Sequence, residues 1–523
     1  MFYIKMADLN KVVKSLMHKK EVTDIVNACD AGREGELIFR LVYNQAGCNK
    51  PIKRLWISSM EESAIREGFS ELKDGSEYNS LYLSSLCRLW ADWLVGINAT
   101  RLFSLLYNKT LNIGRVQTPT LALLVSRHEK ISYFQPEKYF TVSLDLGKTK
   151  AISDKIDSEE KANNIKAACE QSQAVCVSVE KELKTEKPPK LFDLTTLQRQ
   201  ANKVFGYTAK QTLDLAQSLY EKKLITYPRT DARFLTEDIA ETVSAVIHLA
   251  ANVPPFDKCP DFFPEITCML NNGKVSDHHA IIPTPELEKT DLSELPKTEL
   301  NILKLIICKL LCAAAEPYVY ENTTAVFECG GNTFSVKGKK VVSYGYKLIE
   351  NLLIGGKSDS DNEISMPPYY KGQRFAGVKA ETEEKYTVPP KPYTEDTLLS
   401  AMEKAGSKDT ADDAERKGLG TPATRAGIIE KIVQSGFAER KNKQITPTKT
   451  GILLISVLPD TLISPDLTAE WENSLTLISK GKSSPDLFMQ GIKDMVTELV
   501  RKYPNIEKDN RDIFKTDKDI SRQ

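Results

Sequence analysis

Tyr227 and Arg229 stand on either side of Pro228 in the stretch Leu224-Ile225-Thr226-Tyr227-Pro228-Arg229-Thr230-Asp231. Proline fixes its own φ and pushes the residue before it toward extended geometry, so Tyr227 is expected on extended chain entering a turn. Side chains on extended chain repeat every second residue, which puts the phenol and the guanidinium on one side. A phenol oxygen can act as a covalent nucleophile, and a planar guanidinium can grip a phosphate with two parallel hydrogen bonds. The pair therefore suits attack on a phosphodiester. The plainer alternative is an edge strand whose tyrosine packs on the core and whose Thr230 or Asp231 caps the next helix.

A second group with chemical potential is Asp30-Ala31-Gly32-Arg33-Glu34-Gly35-Glu36, which follows a stretch, Val22 to Cys29, that reads as a buried strand. Asp30 and Glu34 could hold Mg²⁺, which takes oxygen ligands and keeps several waters. Equally, they could be an acidic loop over a helix N-terminus. Two of only five histidines fall together in Ser276-Asp277-His278-His279-Ala280-Ile281-Ile282-Pro283-Thr284. Such a histidine can hydrogen-bond a phosphate oxygen or move a proton near neutral pH, or simply bond to backbone. Arg115 and Gln117, in a polar break between helices, could contact phosphates or lie solvated.

The elements that must position these residues follow from periodicity. A helix is expected from Ala7 to Lys19, strands over Val22 to Cys29 and Lys53 to Ile57, and helix from Leu37 onward, so the acids sit at the carboxyl end of a strand, where α/β sheets bind ligands. Ser59 and Glu62 read as a capping box. Leu81 to Leu106 is helical, and a further helix runs through Arg127. From Phe140 to Glu182 and from Thr323 to Leu348 the alternation is strand-like, with Gly330-Gly331-Asn332 as a hairpin turn. Between them, Phe192 to Leu224, Thr236 to Ala251 and Glu299 to Ala315 are helical, as if inserted into a split β domain. After the linker Pro389 to Pro392, helices over Thr394 to Lys404 and Thr421 to Ser435 and a hairpin over Phe437 to Thr446 suggest a winged DNA-binding shape. The charged stretch from Asn505 to Gln523 is expected to be disordered.

Composition sets the outer bounds. A chain of 523 residues should hold roughly three to four domains. With 71 basic and 71 acidic residues it has no net charge, so nucleic-acid contact must come from local basic patches. Ten scattered cysteines without a Cys-x-x-Cys indicate neither a zinc ribbon nor a disulfide framework. No apolar run of membrane-spanning length and no signal peptide are read, which points to the cytoplasm. Gly356-Lys357-Ser358 and Gly481-Lys482-Ser483 both lack the earlier glycine of a Walker A loop, which argues against ATP-driven chemistry.

Assembled in order, these stretches resemble the type IA DNA topoisomerases, and most closely their bacterial topoisomerase III branch. The resemblance is carried by Asp30 to Glu36, Gly114-Arg115-Val116-Gln117-Thr118-Pro119, Tyr220 to Asp231, His278 to Thr284, Gly418-Leu419-Gly420-Thr421-Pro422-Ala423-Thr424-Arg425 and Leu467-Thr468-Ala469-Glu470-Trp471-Glu472. It implies a multidomain α/β and mainly-α padlock-shaped toroid. Its parts would be a partial Toprim domain (1–75), a helical and winged-helix DNA-binding domain (76–135 with 385–500), a β-rich arch (136–192 with 321–384), an inserted helical domain carrying the tyrosine (193–320) and a charged tail (501–523).

The resemblance further implies ATP-independent relaxation or decatenation of DNA. Tyr227 would form a 5′-phosphotyrosine link, Arg229 would steady the phosphate, and His278 would stand near the scissile phosphate. Asp30 and Glu34 would contact Mg²⁺, with Glu34 among the catalytic groups. Arg33, Arg115, Gln117, Thr118, Gln198, His279, Thr424 and Arg425 would contact DNA. The implied partners are single-stranded, negatively supercoiled or catenated DNA and a RecQ-type helicase, with no membrane and a monomeric enzyme in the bacterial cytoplasm, associated with the nucleoid or with a mobile element.

Two departures shape the expectation. Gly32 stands where the family's second Toprim aspartate belongs, leaving position 32 without a carboxylate. The family's first Toprim strand, which bears a glutamate acting as general acid, would precede the helix at Ala7, so the Toprim domain is expected to be incomplete at its N-terminus. General acids contribute about 10²- to 10⁴-fold in rate, so this chain is expected to relax DNA poorly or not at all. The competing class is a single-strand DNA clamp that binds by groove contacts and stacking without cutting. A conjugative tyrosine relaxase would need a metal-spaced histidine pair, which adjacent His278-His279 does not supply.

Overall fold

The computed structural model describes residues 6–57, 62–259, 264–275, 277–355, 366–406, 418–503 and 513–514. The chain opens with an α/β unit: α1 (Met6–Met17), β1 (Ile25–Asn27), α2 (Arg33–Ala46), β2 (Ile52–Arg54), α3 (Glu62–Ser70) and β3 (Lys73–Asp74). β1 and β2 run parallel with Asn27 beside Arg54, and β3 closes antiparallel on β2. Parallel strands need a crossover, and α2 supplies it with Phe39 packed in one cluster with Ile25 and Ile52 of the strands. Both strands are shorter than the expected Val22 to Cys29 and Lys53 to Ile57. The expected capping box lies outside the described residues at Ser59, as does most of the charged tail.

Two helices follow, α4 (Asn79–Leu106) and α5 (Gln117–Ser132). The chain then enters a sheet through β4 (Lys138–Asp145), β5 (Lys150–Ser153), α6 (Glu159–Glu170) and β6 (Ala174–Glu186). It leaves that sheet for α7 (Leu194–Phe205), α8 (Ala209–Glu221), α9 (Ala240–Ala251) and α10 (Lys297–Ala314). It returns through β7 (Tyr318–Cys329), β8 (Asn332–Ser343), α11 (Tyr346–Ile354), β9 (Arg374–Phe375) and β10 (Ala380–Tyr386). The resulting order is β10-β4-β5-β8-β7-β6-β9, so strands from both sides of the helical excursion interleave in one sheet. β7 and β8 meet at Gly330 and Gly331, whose φ values of 55° and 72° match a turn that needs two left-handed residues.

Strand-like alternation over Phe140 to Glu182 proves too simple, because α6 interrupts it. Ser158 caps α6 by accepting from the Lys161 amide, Glu159 and Glu160 favour the positive end of the helix, and Ala162, Ile165 and Cys169 recur at helical spacing. Likewise the alternation expected through Leu348 gives way to α11 at Tyr346.

The last stretch comprises β11 (Tyr393–Thr394), α12 (Glu395–Lys404), α13 (Pro422–Gln434), β12 (Ala438–Lys441), β13 (Gln444–Pro447), α14 (Lys449–Val457), α15 (Asp460–Ile463), α16 (Asp466–Ser479) and α17 (Pro485–Lys502). β11, β13 and β12 form a small antiparallel wing beside α12 and α13. Helices from the two ends of the chain share one core, in which Phe103, Leu111 and Leu121 meet Leu399, Ile429, Phe437 and Trp471. A separate core joins α7 to α10 and includes Leu224 and Ile225, which anchor the tyrosine segment.

Candidate active site

Helix α8 stops at Glu221, and Lys223 adopts a left-handed φ of 62° before Leu224 and Ile225 turn into the core. Pro228 prevents the helix from resuming. The segment is then laced to the loop of residues 278–283. Thr226 Oγ1 donates to the Ala280 carbonyl at 3.0 Å, the Thr226 amide donates to the Ile282 carbonyl at 2.9 Å, and Thr230 Oγ1 donates to the His278 carbonyl at 2.9 Å. Two threonines flanking Tyr227 thus fix it against His278. The two rings stand 4.4 Å apart between centroids, and Tyr220 meets Tyr227 edge-on at 5.3 Å.

Half-buried, the Tyr227 phenol is pushed above its ordinary pKa by desolvation, while Arg229 opposes the rise and Asp30 adds to it. Arg229 itself is exposed, facing the solvent from which a polyanion would come.

The acidic turn reaches the same place from the α/β unit. Asp30 Oδ1 lies 3.4 Å from His278 Nε2. A hydrogen bond from His278 holds the Asp30 carboxyl below its usual range; burial opposes this, and the charges of His278 and Arg54 assist it. Arg54 organises the turn from beneath. Fully buried, it donates from Nη1 to the carbonyls of Asn27, Cys29 and Leu55 and from Nη2 to that of Asp30. Trp56 and Tyr78 stack over it. Glu36, buried, is held by Asn27 at 2.7 Å, Arg40 at 2.9 Å and Arg54 at 3.4 Å, so it serves structure rather than ligation.

A network of arginines joins this turn to the helices behind it. Glu472, buried on α16, receives Arg33 at 3.0 Å and lies 3.6 Å from both Arg88 and Arg115. Arg88 also reaches Glu34 at 3.3 Å. Arg115 forks onto Asp92 at 2.7 and 3.2 Å and lies over the Trp471 ring.

Tyr227, His278 and Asp30 therefore form one cluster, and Arg33, Glu34 and Arg115 belong to the network beside it. The remaining residues expected at DNA make contacts within the protein. Gln117 and Thr118 are buried and brace their own loop, Gln117 by donating to the Asn112 carbonyl and Thr118 by accepting from the Gly114 amide. Gln198 is buried between α7 and α8 and donates to the Ala209 carbonyl. Arg425 is buried in the seam of α13 with α7, donating to Thr195 Oγ1 and the Leu419 carbonyl. Thr424 is exposed and caps α13 with Thr421, and His279 Nδ1 donates to the Ala280 carbonyl. Sequence reasoning did not single out Arg54, Arg88 or Asp92, whose partners come from distant chain, and it quoted Glu472 without a role.

Among the described residues no group of three or more His, Cys, Asp or Glu side chains is arranged to hold a metal ion. Asp30 and Glu34 nevertheless offer carboxylates that are 56% and 47% exposed. Such a donor set fits Mg²⁺, which binds through one or two carboxylates and completes its shell with water and phosphate.

A family model described as DNA topoisomerase matches residues 76–490. The DNA topoisomerase 3 of Bacillus licheniformis is 40% identical over 517 residues, covering 94% of this chain and 70% of that protein. The chain belongs to the type IA DNA topoisomerases. Its topoisomerase III character is supported as well by the DNA topoisomerase 3 of Bacillus subtilis, 40% identical over 515 residues with the same coverage. The fold matches full-length topoisomerase I from Thermotoga maritima with a TM-score of 0.71 at 23% identity, covering 94% of this chain and 80% of that one. As a topoisomerase the chain is an isomerase acting on DNA, built on the mixed α/β toroidal plan of its class. No helix among the described residues is long and apolar enough to cross a membrane.

Proposed function

We propose that this topoisomerase cuts one DNA strand with Tyr227 and reseals it without ATP. The observation that carries the reading is the contact of Tyr227 with His278, itself paired with Asp30 across the junction of two units. Tyr227 Oη attacks phosphorus while its proton passes to solvent or to the imidazole. The bond from phosphorus to the 3′ oxygen breaks, a 5′-phosphotyrosine forms, and the 3′ oxygen leaves as a hydroxyl after taking a proton. Religation reverses each of these steps. One phosphodiester replaces another, so bond energy is conserved and no nucleotide is needed.

Arg229 meets the phosphate from the solvent side, and His278 orients the phenol. Mg²⁺ held by Asp30 and Glu34 would supply positive charge beside the phosphates. Arg33 and Arg115, buried and joined through Glu472, brace from behind the turn that carries Asp30 and Glu34. The substrates on this reading are single-stranded and negatively supercoiled or catenated DNA, with a RecQ-type helicase as the partner that would expose single strands. The domain limits given above, monomeric action and association with the nucleoid or a mobile element belong to the same proposal.

The test is a denaturant-trapped cleavage assay on 5′- and 3′-labelled single-stranded oligonucleotides with Mg²⁺. A covalent adduct on the 5′ phosphate that disappears in Tyr227→Phe is expected. An adduct persisting in that variant would overturn the nucleophile, and binding without any adduct would favour a clamp.

A further inference from the structure

Gly32 precedes the 14-residue helix α2 with φ −161° and ψ 178°. That backbone is extended and open to any residue, so conformation does not call for glycine here. Space does. A Cβ at position 32 would stand 2.6 and 2.7 Å from the two carboxylate oxygens of Asp277 and 2.8 Å from its Cγ. The volume a side chain at 32 would occupy is filled by a carboxylate from the other unit.

The neighbours make this a docking contact. Asp277 is followed by His278, whose Nε2 reaches Asp30, and the His278 carbonyl is tied to Thr230 in the tyrosine segment. Consecutive residues of one loop thus land on Asp30 and Gly32, two residues apart on the opposing turn. The Asp277 carboxylate also comes to rest beside the first turn of α2, the positive end of the helix, where an anion is favoured.

We propose that Asp277 is a positioning residue: its carboxylate seats in the side-chain space left open at Gly32, and this seat sets how closely His278 and Tyr227 approach Asp30. The contact acts through His278 and does not touch the reacting atoms. Its effect on cleavage rests on the reading of Tyr227 as nucleophile, but the seat itself can be measured without any cleavage.

Hydrogen exchange of the full chain reads the seat in the first turn of α2 and in the loop through Thr284; trapped adduct in a single turnover reads its use. Asp277→Ala should raise exchange in both segments and slow adduct formation by about two- to fivefold, the range for an anion at a helix N-terminus. Gly32→Asp alone should do the same, because two carboxylates then claim one space. Gly32→Asp with Asp277→Ala returns a carboxylate to that space from the other side and should recover most of both losses, whereas two independent lesions would add.

A double variant no better than the worse single one, or Asp277→Ala that changes neither readout, overturns the proposal. If no protein, wild type included, forms an adduct, the reading of Tyr227 fails while exchange still judges the seat. Should Gly32→Asp not fold, Gly32→Ala puts the same steric question. Its methyl must cost more protection with Asp277 present than in Asp277→Ala, and equal losses sink the idea.

Discussion

Asp30 Oδ1 lies 3.4 Å from His278 Nε2, joining the turn after β1 to the loop that braces Tyr227. The carboxyl is held below its ordinary value chiefly by the hydrogen bond from His278. Because the folded value is depressed, the contact is present above the ordinary pKa of 3.8 and is lost as pH falls through the lower folded one. Near neutrality Asp30→Asn keeps an acceptor but removes the charge that would meet a cation. The Mg²⁺ concentration giving half-maximal adduct should rise about tenfold, as when a partner at a metal site is lost. A titration with unchanged midpoint would remove Asp30 from the metal's surroundings.

Gly35 stands in the first turn of α2, and a Cβ there would lie 2.1 Å from the Asp30 carbonyl oxygen and 2.8 Å from its amide nitrogen. In an open helix Gly→Ala stabilises by about 1 kcal/mol. Here the obstacle is backbone, which cannot rotate aside, so Gly35→Ala should destabilise by about 1–3 kcal/mol, as overpacking does. The shift falls on Asp30, so trapped adduct should decline further than the fraction unfolded requires. Urea midpoints compared with adduct yields would show it; a stabilised, fully active variant would contradict the close approach.

What the sequence discloses follows from where each signal is stored. Pro228 makes the non-helical geometry at Tyr227 legible, and paired glycines make the turn at Gly330 legible, since both are local properties of the chain. The helix α6 was readable in Ala162, Ile165 and Cys169 but was hidden among β-branched neighbours. Arg54 left no trace, because its partners are mostly backbone carbonyls, which any sequence carries. Arg115 was expected at phosphates or in solvent and Arg425 at DNA; in the fold Arg115 forks onto Asp92 and Arg425 reaches Thr195, partners that only the tertiary structure brings near. The motifs name residue types, and the burial of those residues is a property of the assembled units.

Glu472 shows how strongly that assembly depends on charge. Burial pushes its pKa upward, but Arg88, Arg33 and Arg115 together outweigh burial and hold it below the ordinary value of 4.5. Glu472→Gln would leave Arg33 and Arg115, both buried, without their shared anion. Breaking a buried pair in this way typically costs about 3–5 kcal/mol. With a depressed folded pKa, the stabilisation is present above 4.5 and disappears as pH falls through the folded value. The gap in urea midpoint between wild type and Glu472→Gln should therefore be wide at pH 7 and close in acid. A gap independent of pH would mean that Glu472 packs as a neutral group.

The ionisation of Tyr227 gives the last prediction. Burial raises its pKa above the ordinary 10.0, and the opposing pull of Arg229 does not cancel the rise. At pH 7 a phenol of ordinary pKa is ionised to about one part in a thousand, and this one less. If the phenolate is the attacking form, the single-turnover cleavage rate should climb about tenfold per pH unit through the neutral range, without levelling off before pH 10. Arg229→Ala removes the favourable charge and should displace the profile to still higher pH, beyond any loss of phosphate binding. A rate that plateaus near neutrality would instead mean that proton removal is coupled to attack, with the imidazole of His278 as acceptor. The plateau should then vanish in His278→Ala.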